Sequence, residues 1–511
     1  MASDAPPPAI SLKRNLAVTY GSQLYMALIG IVMLPFYLRL LGVEAYGLVG
    51  FFIALTAWLA LFDFGLSATL SREAARSRAG VIDGMQLRAL LAFVEKTFLA
   101  MGIIVAAAFV LGAPAIVSGW LHEKTVSEAE AITAVRLMGP VLALRFLVIP
   151  FRALLTGMED LRWLGAANMA VSTLRSVLVL VGLIAFGASL KVFFLWQLGS
   201  GLIEFVVLGL RARSHLPRSA SSRGAGGIVR AHWRFSLGMA SAVAIWVAAT
   251  NADKLILSGL VPLSDYALFS IATTAAGGVL LVVGPFAIAF GPRFTLLHAQ
   301  GDREGLVRLY GQATQLTAII AVSTSLTLAL FPAETLWCWT GDKALAAEAA
   351  PVLTFYALGN GLLAIGGLPL QLQIAAGRLR FHVIGTAIFL LVLLPLLWWG
   401  VREMGMAGAG AAWLAVNLLF AMGWVAVVHR IFLPASHIRW LVREVLAILV
   451  PTAAVALLLY AAMPWSADRW LAVGQLFAIG GLLLLVAAAS SSVLRGQAAS
   501  LLHRMKPEPG R

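Results

Sequence analysis

Apolar runs of 18 or more residues recur from Asn15 to Val493, and this feature constrains the fold more than any other. Each run is long enough to cross the ~30 Å hydrocarbon core of a bilayer as a helix. Helices are the expected form, because lipid offers backbone N–H and C=O groups no partner outside their own helix. Composition agrees, since 61% of the 511 residues are hydrophobic and only 12% are charged, about half the charge of a soluble protein. At ~20 residues per crossing, about fourteen spans fit between residues 16 and 493. The expectation is an all-α polytopic membrane protein with no soluble domain.

The formal net charge of +14 would suit nucleic acid if the basic residues formed one stripe, but they are dispersed. About 26 of the 37 Lys and Arg lie in or beside alternate connections that would share one side. The opposite connections hold only Arg39, Lys124, Lys191, Lys343, Arg402 and Arg469. SREAARSRAG (71–80) is basic, for example, whereas LHEKTVSEAEA (121–131) has three Glu against one Lys. This asymmetry follows the positive-inside rule and predicts that both termini are cytoplasmic. The N-terminal segment is Pro-rich before Lys13 and Arg14, unlike a cleavable signal, so the first apolar run is expected to be a retained helix. A single cysteine, Cys338, excludes an intramolecular disulfide and a cysteine-built metal cage.

A Ser/Gly-rich basic stretch at 211–234 falls near the middle of the chain and has the composition of a linker. Either side of it, landmarks recur at an offset of 220. Tyr46 in LRLLGVEAYGLVG (38–50) answers Tyr266 in LILSGLVPLSDYALFS (255–270), Arg88 answers Arg308, and Gly157 answers Gly377. The expected organisation is a six-helix lobe over 1–210, the cytoplasmic linker 211–234, a second six-helix lobe over 235–430, and two added spans with a cytoplasmic tail over 431–511. Halves separated by an even number of spans are related by an axis along the membrane normal, and such carriers place substrate between them.

The run YGSQLYMALIGIVMLPFYLRLLGVEAYGLVGFFIALTAWLALFDFGLSATLSREAA (20–75) resembles the start of the polysaccharide-type, Wzx-like lipid-linked oligosaccharide flippases of the MOP superfamily. NADKLILSGLVPLSDYALFSIAT (251–273) is similar to the opening of their second half. The resemblance is carried by the LGVEAYG turn, the LFDFGLS end of the second span and the glycine of LLTGMEDLRW, none of which is an active-site signature. It implies an inner-membrane carrier with two lobes opening alternately to either side. Its cargo would be an undecaprenyl-diphosphate-linked oligosaccharide moved to the outer leaflet for lipopolysaccharide, capsule or exopolysaccharide assembly. Membrane lipids and the polymerase and chain-length machinery would be partners. Relatives in the superfamily include peptidoglycan-precursor flippases and multidrug extruders.

Charges inside spans cost ~2.5–3.5 kcal/mol each at a helix centre, so those retained are functional candidates. Arg145 and Arg175 fall near the midplane, and a guanidinium fork matches phosphate oxygens, which makes them the leading substrate contacts. Arg152 and Arg136 extend the basic track more weakly. The competing account of these arginines is a packing pair with Glu204. Asp63 and Asp253 are candidates for coupling to H⁺ or Na⁺, although Lys254 offers Asp253 an ion pair. Glu95 and Lys96 lie close enough to the surface to snorkel, and the histidines fall beside loops where an interfacial role is expected.

No P-loop, HExxH, GxSxG or Asp-rich metal motif occurs. The chain is therefore expected to be no enzyme, to use no cofactor and to hold no metal. Two other functions compete with the flippase reading. Efflux of cationic drugs would call for an acidic, aromatic cavity, and a membrane glycosyltransferase or polymerase would call for a large outer loop.

Overall fold

The computed structural model describes residues 12–121, 125–217, 225–434 and 436–497. The middle of the linker and the end of the C-terminal tail lie outside the described residues. Twelve described helical segments are long and apolar enough to cross a membrane, and the chain is a multi-span membrane protein. One of the twelve, Arg380–Phe432, has 53 residues, which at ~1.5 Å per residue is more than two bilayer cores in length. Gly405 divides it, with φ 58° and ψ −139°. The helix Ala225–Ser258 adds a further segment of spanning length at 34 residues. All fourteen expected spans accordingly fall on helices.

The chain divides into two compact units, residues 1–264 and 265–511. The first contains α1 (Leu12–Leu41), α2 (Val43–Trp58), α3 (Leu66–Arg78), α4 (Gly84–Trp120), α5 (Glu128–Leu147), α6 (Ile149–Gly157), α7 (Leu161–Phe186), α8 (Leu190–Ser214) and α9 (Ala225–Ser258). By packing, α9 sits with this unit, against α2, α3 and α4. The second contains α10 (Leu263–Ala299), whose first two residues precede the boundary, and α11 (Arg303–Leu330), α12 (Pro332–Thr340), α13 (Lys343–Gly366), α14 (Leu368–Ala375), α15 (Arg380–Leu419), α16 (Val425–Phe432), α17 (His437–Trp440), α18 (Ala447–Ala462) and α19 (Arg469–Ser490).

Three spans that the sequence predicts as continuous are broken. The second span ends α2 in a 3-10 turn, Leu59–Asp63, then passes through Phe64 and Gly65 in the left-handed region before α3 begins. The fourth, expected over 131–155, breaks at Val148, between α5 and α6, and the tenth, expected over 351–375, breaks at Gly367, between α13 and α14. Both of the latter have proline in the first turn of the new helix, Pro150 and Pro369, where the missing N–H costs nothing and the fixed φ suits a helix start. Matching breaks at matching places accord with the internal repeat.

In the first unit, alternate connections gather at two ends. At one, Arg78 pairs with Glu159, Arg211 Nε donates to Asp160 at 2.8 Å, and Arg213 Nη2 donates to Glu95 Oε1 at 3.0 Å. At the other, the Thr125 N–H donates to Glu44 Oε2 at 2.7 Å and the Leu190 N–H to Glu130 Oε1 at 3.3 Å. Glu44 and Glu130 stand in the first turns of α2 and α5, where a carboxylate complements the helix dipole. The basic and acidic loops of the sequence thus meet loops of their own kind.

Two glycines of the sequence landmarks let backbones meet. A Cβ on Gly47 would lie 2.4 Å from the Leu263 carbonyl oxygen, and one on Gly157 would lie 2.1 Å from that of Ser71. The core of the first unit is aromatic, with Phe98 stacked on Phe146 at 4.2 Å between ring centroids. In the second unit Asn360 ties three helices together: its Nδ2 donates to the Ala276 carbonyl at 2.9 Å and its Oδ1 accepts from Trp413 Nε1 at 3.0 Å. The histidine expectation needs one correction. His429 is fully buried, 2.7 Å from the Tyr310 hydroxyl and 2.9 Å from His437, because α16 and α17 fold against the start of α11.

Candidate functional site

Polar residues recur at seven-residue spacing in three apolar segments of the first unit: Arg145 and Arg152 across the α5–α6 break, Asn168 and Arg175 on α7, and Gln197 and Glu204 on α8. Seven residues is close to two helical turns, so each pair shares one face of its element. The α5–α6 pair and α8 enter from the same end of the unit and run side by side, which brings residues of equal offset together. Arg145 Nη2 donates to Gln197 Oε1 at 3.1 Å, and one level further Arg152 Nη2 donates to Glu204 Oε1.

The second level is the more highly charged. Arg175 Nη2 donates to the other carboxylate oxygen of Glu204, and Arg152 Nη1 donates to Asn168 Oδ1. Glu204 is 3% exposed. Burying such a carboxylate costs several kcal/mol per ion, which two guanidinium partners offset by charge and hydrogen bonds. Among the described residues, no carboxylate pairs with Arg145. Its Nη1 lies 3.4 Å from Thr56 Oγ1, and its guanidinium carbon stands 4.6 Å from the centre of the Phe52 ring, a cation–π contact.

The resulting cluster has three guanidinium groups and one carboxylate, so its formal charge is +2. Nε of Arg145 and Nε of Arg175 are buried and, among the described residues, have no acceptor. Buried donors are seldom left this way, since each unmet one costs about 1–3 kcal/mol. Excess positive charge combined with unmet N–H groups suits an anion rich in acceptor oxygens.

Of the six residues predicted from sequence, the fold brings Arg145, Arg152 and Arg175 together. Arg136 is exposed on α5 and outside the cluster. Asp63 closes the 3-10 turn, and its Oδ1 accepts from the backbone N–H of Ser67 at 3.1 Å and from its hydroxyl at 2.5 Å. Asp253 is 1% exposed in α9, with Lys254 Nζ 3.4 Å from its Oδ1. Sequence reasoning had Glu204 only as a packing partner and missed Thr56, Asn168 and Gln197. The seven-residue spacing of polar groups in apolar helices was the signal that could have found the last two.

Residues 12–298 match the family described as polysaccharide biosynthesis protein. Among solved structures, the chain is similar to the lipid II flippase MurJ in an inward closed conformation, with TM-score 0.70 and 13% identity over 93% of this chain and 98% of that one. It is also similar to a multidrug resistance MATE family transporter of the MOP superfamily in an inward-facing conformation, with TM-score 0.64 and 14% identity over 79% and 96%. A MOP superfamily transporter from Pyrococcus furiosus gives 0.56 and 13% over 82% and 96%. At such identities the likeness establishes the fold. No curated protein matches.

Proposed function

Because the chain belongs to the polysaccharide biosynthesis protein family, we propose that it is a flippase for a polyprenyl-diphosphate-linked oligosaccharide. It moves the cargo from the cytoplasmic to the outer leaflet of a bacterial inner membrane by alternating access. The observation that carries this reading is the buried +2 cluster of Arg145, Arg152, Arg175 and Glu204, with two guanidinium N–H groups unmet. A diphosphate supplies the charge and the acceptor oxygens that such a cluster lacks. Arg136, about two and a half turns along α5 from Arg145, is exposed on the opposite side of the helix and stands apart from this site. Cationic drugs fit this cluster poorly, since like charge opposes their entry.

The test is reconstitution. The full chain in proteoliposomes should move a fluorescent polyprenyl-diphosphate-linked oligosaccharide between leaflets, read by quenching with an impermeant reductant. Arg175→Ala should slow the movement at least about tenfold with insertion intact. Equal rates with and without the protein would refute the flippase reading. Orientation is read separately. A cysteine at Ser221 in a Cys338→Ala background should react with an impermeant reagent only from the cytoplasmic side.

A further inference from the structure

We propose that Glu204 sets the charge of the cargo: it holds the arginine cluster at +2, so that the site takes a disubstituted diphosphate and rejects the sugar-free polyprenyl diphosphate. This deepens the substrate reading above and rests on it. Three facts carry it. Glu204 is the one carboxylate in contact with the cluster among the described residues, and its two oxygens are divided between Arg152 and Arg175. It is buried, so bulk water screens its charge little. The N–H groups left over, Nε of Arg145 and of Arg175, belong to two different arginines, so an anion can be held without removing Glu204 from its partners.

A diphosphate esterified at both ends carries two negative charges, matching the cluster. Once the sugar is gone, the terminal phosphate ionises again and the lipid carries three. The extra charge must then sit near Glu204, unmatched and partly stripped of water. Like charges a few ångströms apart, at the effective screening of a protein site, change affinity by about tenfold or more. Discrimination here is against the wrong ligand by the net charge of the cluster, which Glu204 holds one unit below that of its three arginines. A carrier with this property would move the loaded lipid and ignore the spent one.

The experiment uses the purified full chain and two probes at alkaline pH, where every phosphate oxygen is ionised: farnesyl diphosphate linked to N-acetylglucosamine, and farnesyl diphosphate. The wild type should bind the sugar-linked probe more tightly. Glu204→Gln raises the cluster to +3, and the preference should fall by about tenfold. The double variant Arg152→Gln with Glu204→Gln returns the cluster to +2 without the carboxylate, and the preference should return. Contacts to the sugar are the same in every variant, so they cancel when preferences are compared. Should Glu204→Gln fail to fold, Arg152→Gln alone lowers the charge to +1, and the preference should widen.

An unchanged preference in Glu204→Gln, or a double variant that behaves as Glu204→Gln does, would overturn the proposal. Equal affinity of the wild type for both probes would overturn it too while leaving the diphosphate site standing. Absence of binding to either probe would remove the substrate reading and the role of Glu204 with it.

Discussion

Arg145 faces Gln197, not a carboxylate: its Nη2 donates to the amide Oε1 at 3.1 Å, so its charge is hydrogen-bonded without being neutralised. One level along the same pair of helices, Arg152 meets Glu204. The two contacts are geometrically alike and electrostatically opposite. That difference lets a substitution of nearly equal shape test whether the free charge matters.

Gln197→Glu places a carboxylate against Arg145 with little change in volume and lowers the cluster to +1. Cargo movement in proteoliposomes should fall at least about tenfold, as in Arg145→Ala, while thermal stability in detergent stays equal or rises. Arg145→Lys should restore only part of the rate, because an ammonium lacks the planar fork. A Gln197→Glu protein as fast as the parent would mean that the charge of Arg145 is not used.

Much of this was legible in the sequence, for identifiable reasons. Spans show as apolar runs because lipid imposes one requirement on every residue that faces it. Arg145 and Arg175 stood out because charge within such a run is costly. Gln197 and Asn168 did not, since an amide in a membrane helix is unremarkable until its neighbour is known. Their neighbours depend on the register of α6 with α7 and of α5 with α8, which arises from helix packing, and within each segment only the seven-residue spacing to a charged residue points to it. The break at Asp63–Gly65 was hidden as well, because Phe64 is an unusual residue for a left-handed conformation. His429 was misplaced because a histidine near a loop gives no sign that the loop folds back over it.

Gly157 tests the close approach of α3 and α6. An added methyl would lie 2.1 Å from the Ser71 carbonyl oxygen and 2.7 Å from Ala74 Cβ, and a carbonyl held in a helix cannot move aside. Gly157→Ala should destabilise the protein by about 1–3 kcal/mol, seen as a lower melting temperature in detergent. Gly119→Ala is the control, since a Cβ there meets nothing within 4 Å. Equal melting of the two variants would contradict the packing.

Asp160, in the connection between α6 and α7, gives a prediction about pH. Burial alone would raise its pKa, but hydrogen bonds and charge from Arg211 and His215 outweigh it and hold the carboxyl below the ordinary aspartate range. A lowered folded-state pKa means stabilisation that is complete above the unfolded value of about 4 and lost as pH falls through the folded one. The melting temperature of the wild type should therefore decline more steeply than that of Asp160→Asn between about pH 5 and about pH 3. Parallel curves would show that Asp160 contributes nothing to acid sensitivity.

Asp63 is the candidate for ion coupling, with Asp253 second because Lys254 already lies 3.4 Å from its carboxylate. Coupling to an ion gradient would need a group whose charge state changes as the carrier moves. Asp63 is the last residue of the 3-10 turn that joins α2 to α3, and its Oδ1 is the acceptor for Ser67 at that junction. A carboxylate at a break ties its protonation to the geometry of two helices. The bound ion can then favour one arrangement by the difference in its affinity for the two. Asp63→Asn keeps an Oδ1 acceptor for Ser67 and removes the charge, which separates the structural duty from the coupling one. The variant should melt within a few degrees of the parent and move cargo at a rate that no longer responds to an imposed proton or Na⁺ gradient. If it melts normally and responds to both gradients as the parent does, Asp63 serves the helix junction alone, and the same substitution at Asp253 becomes the next measurement.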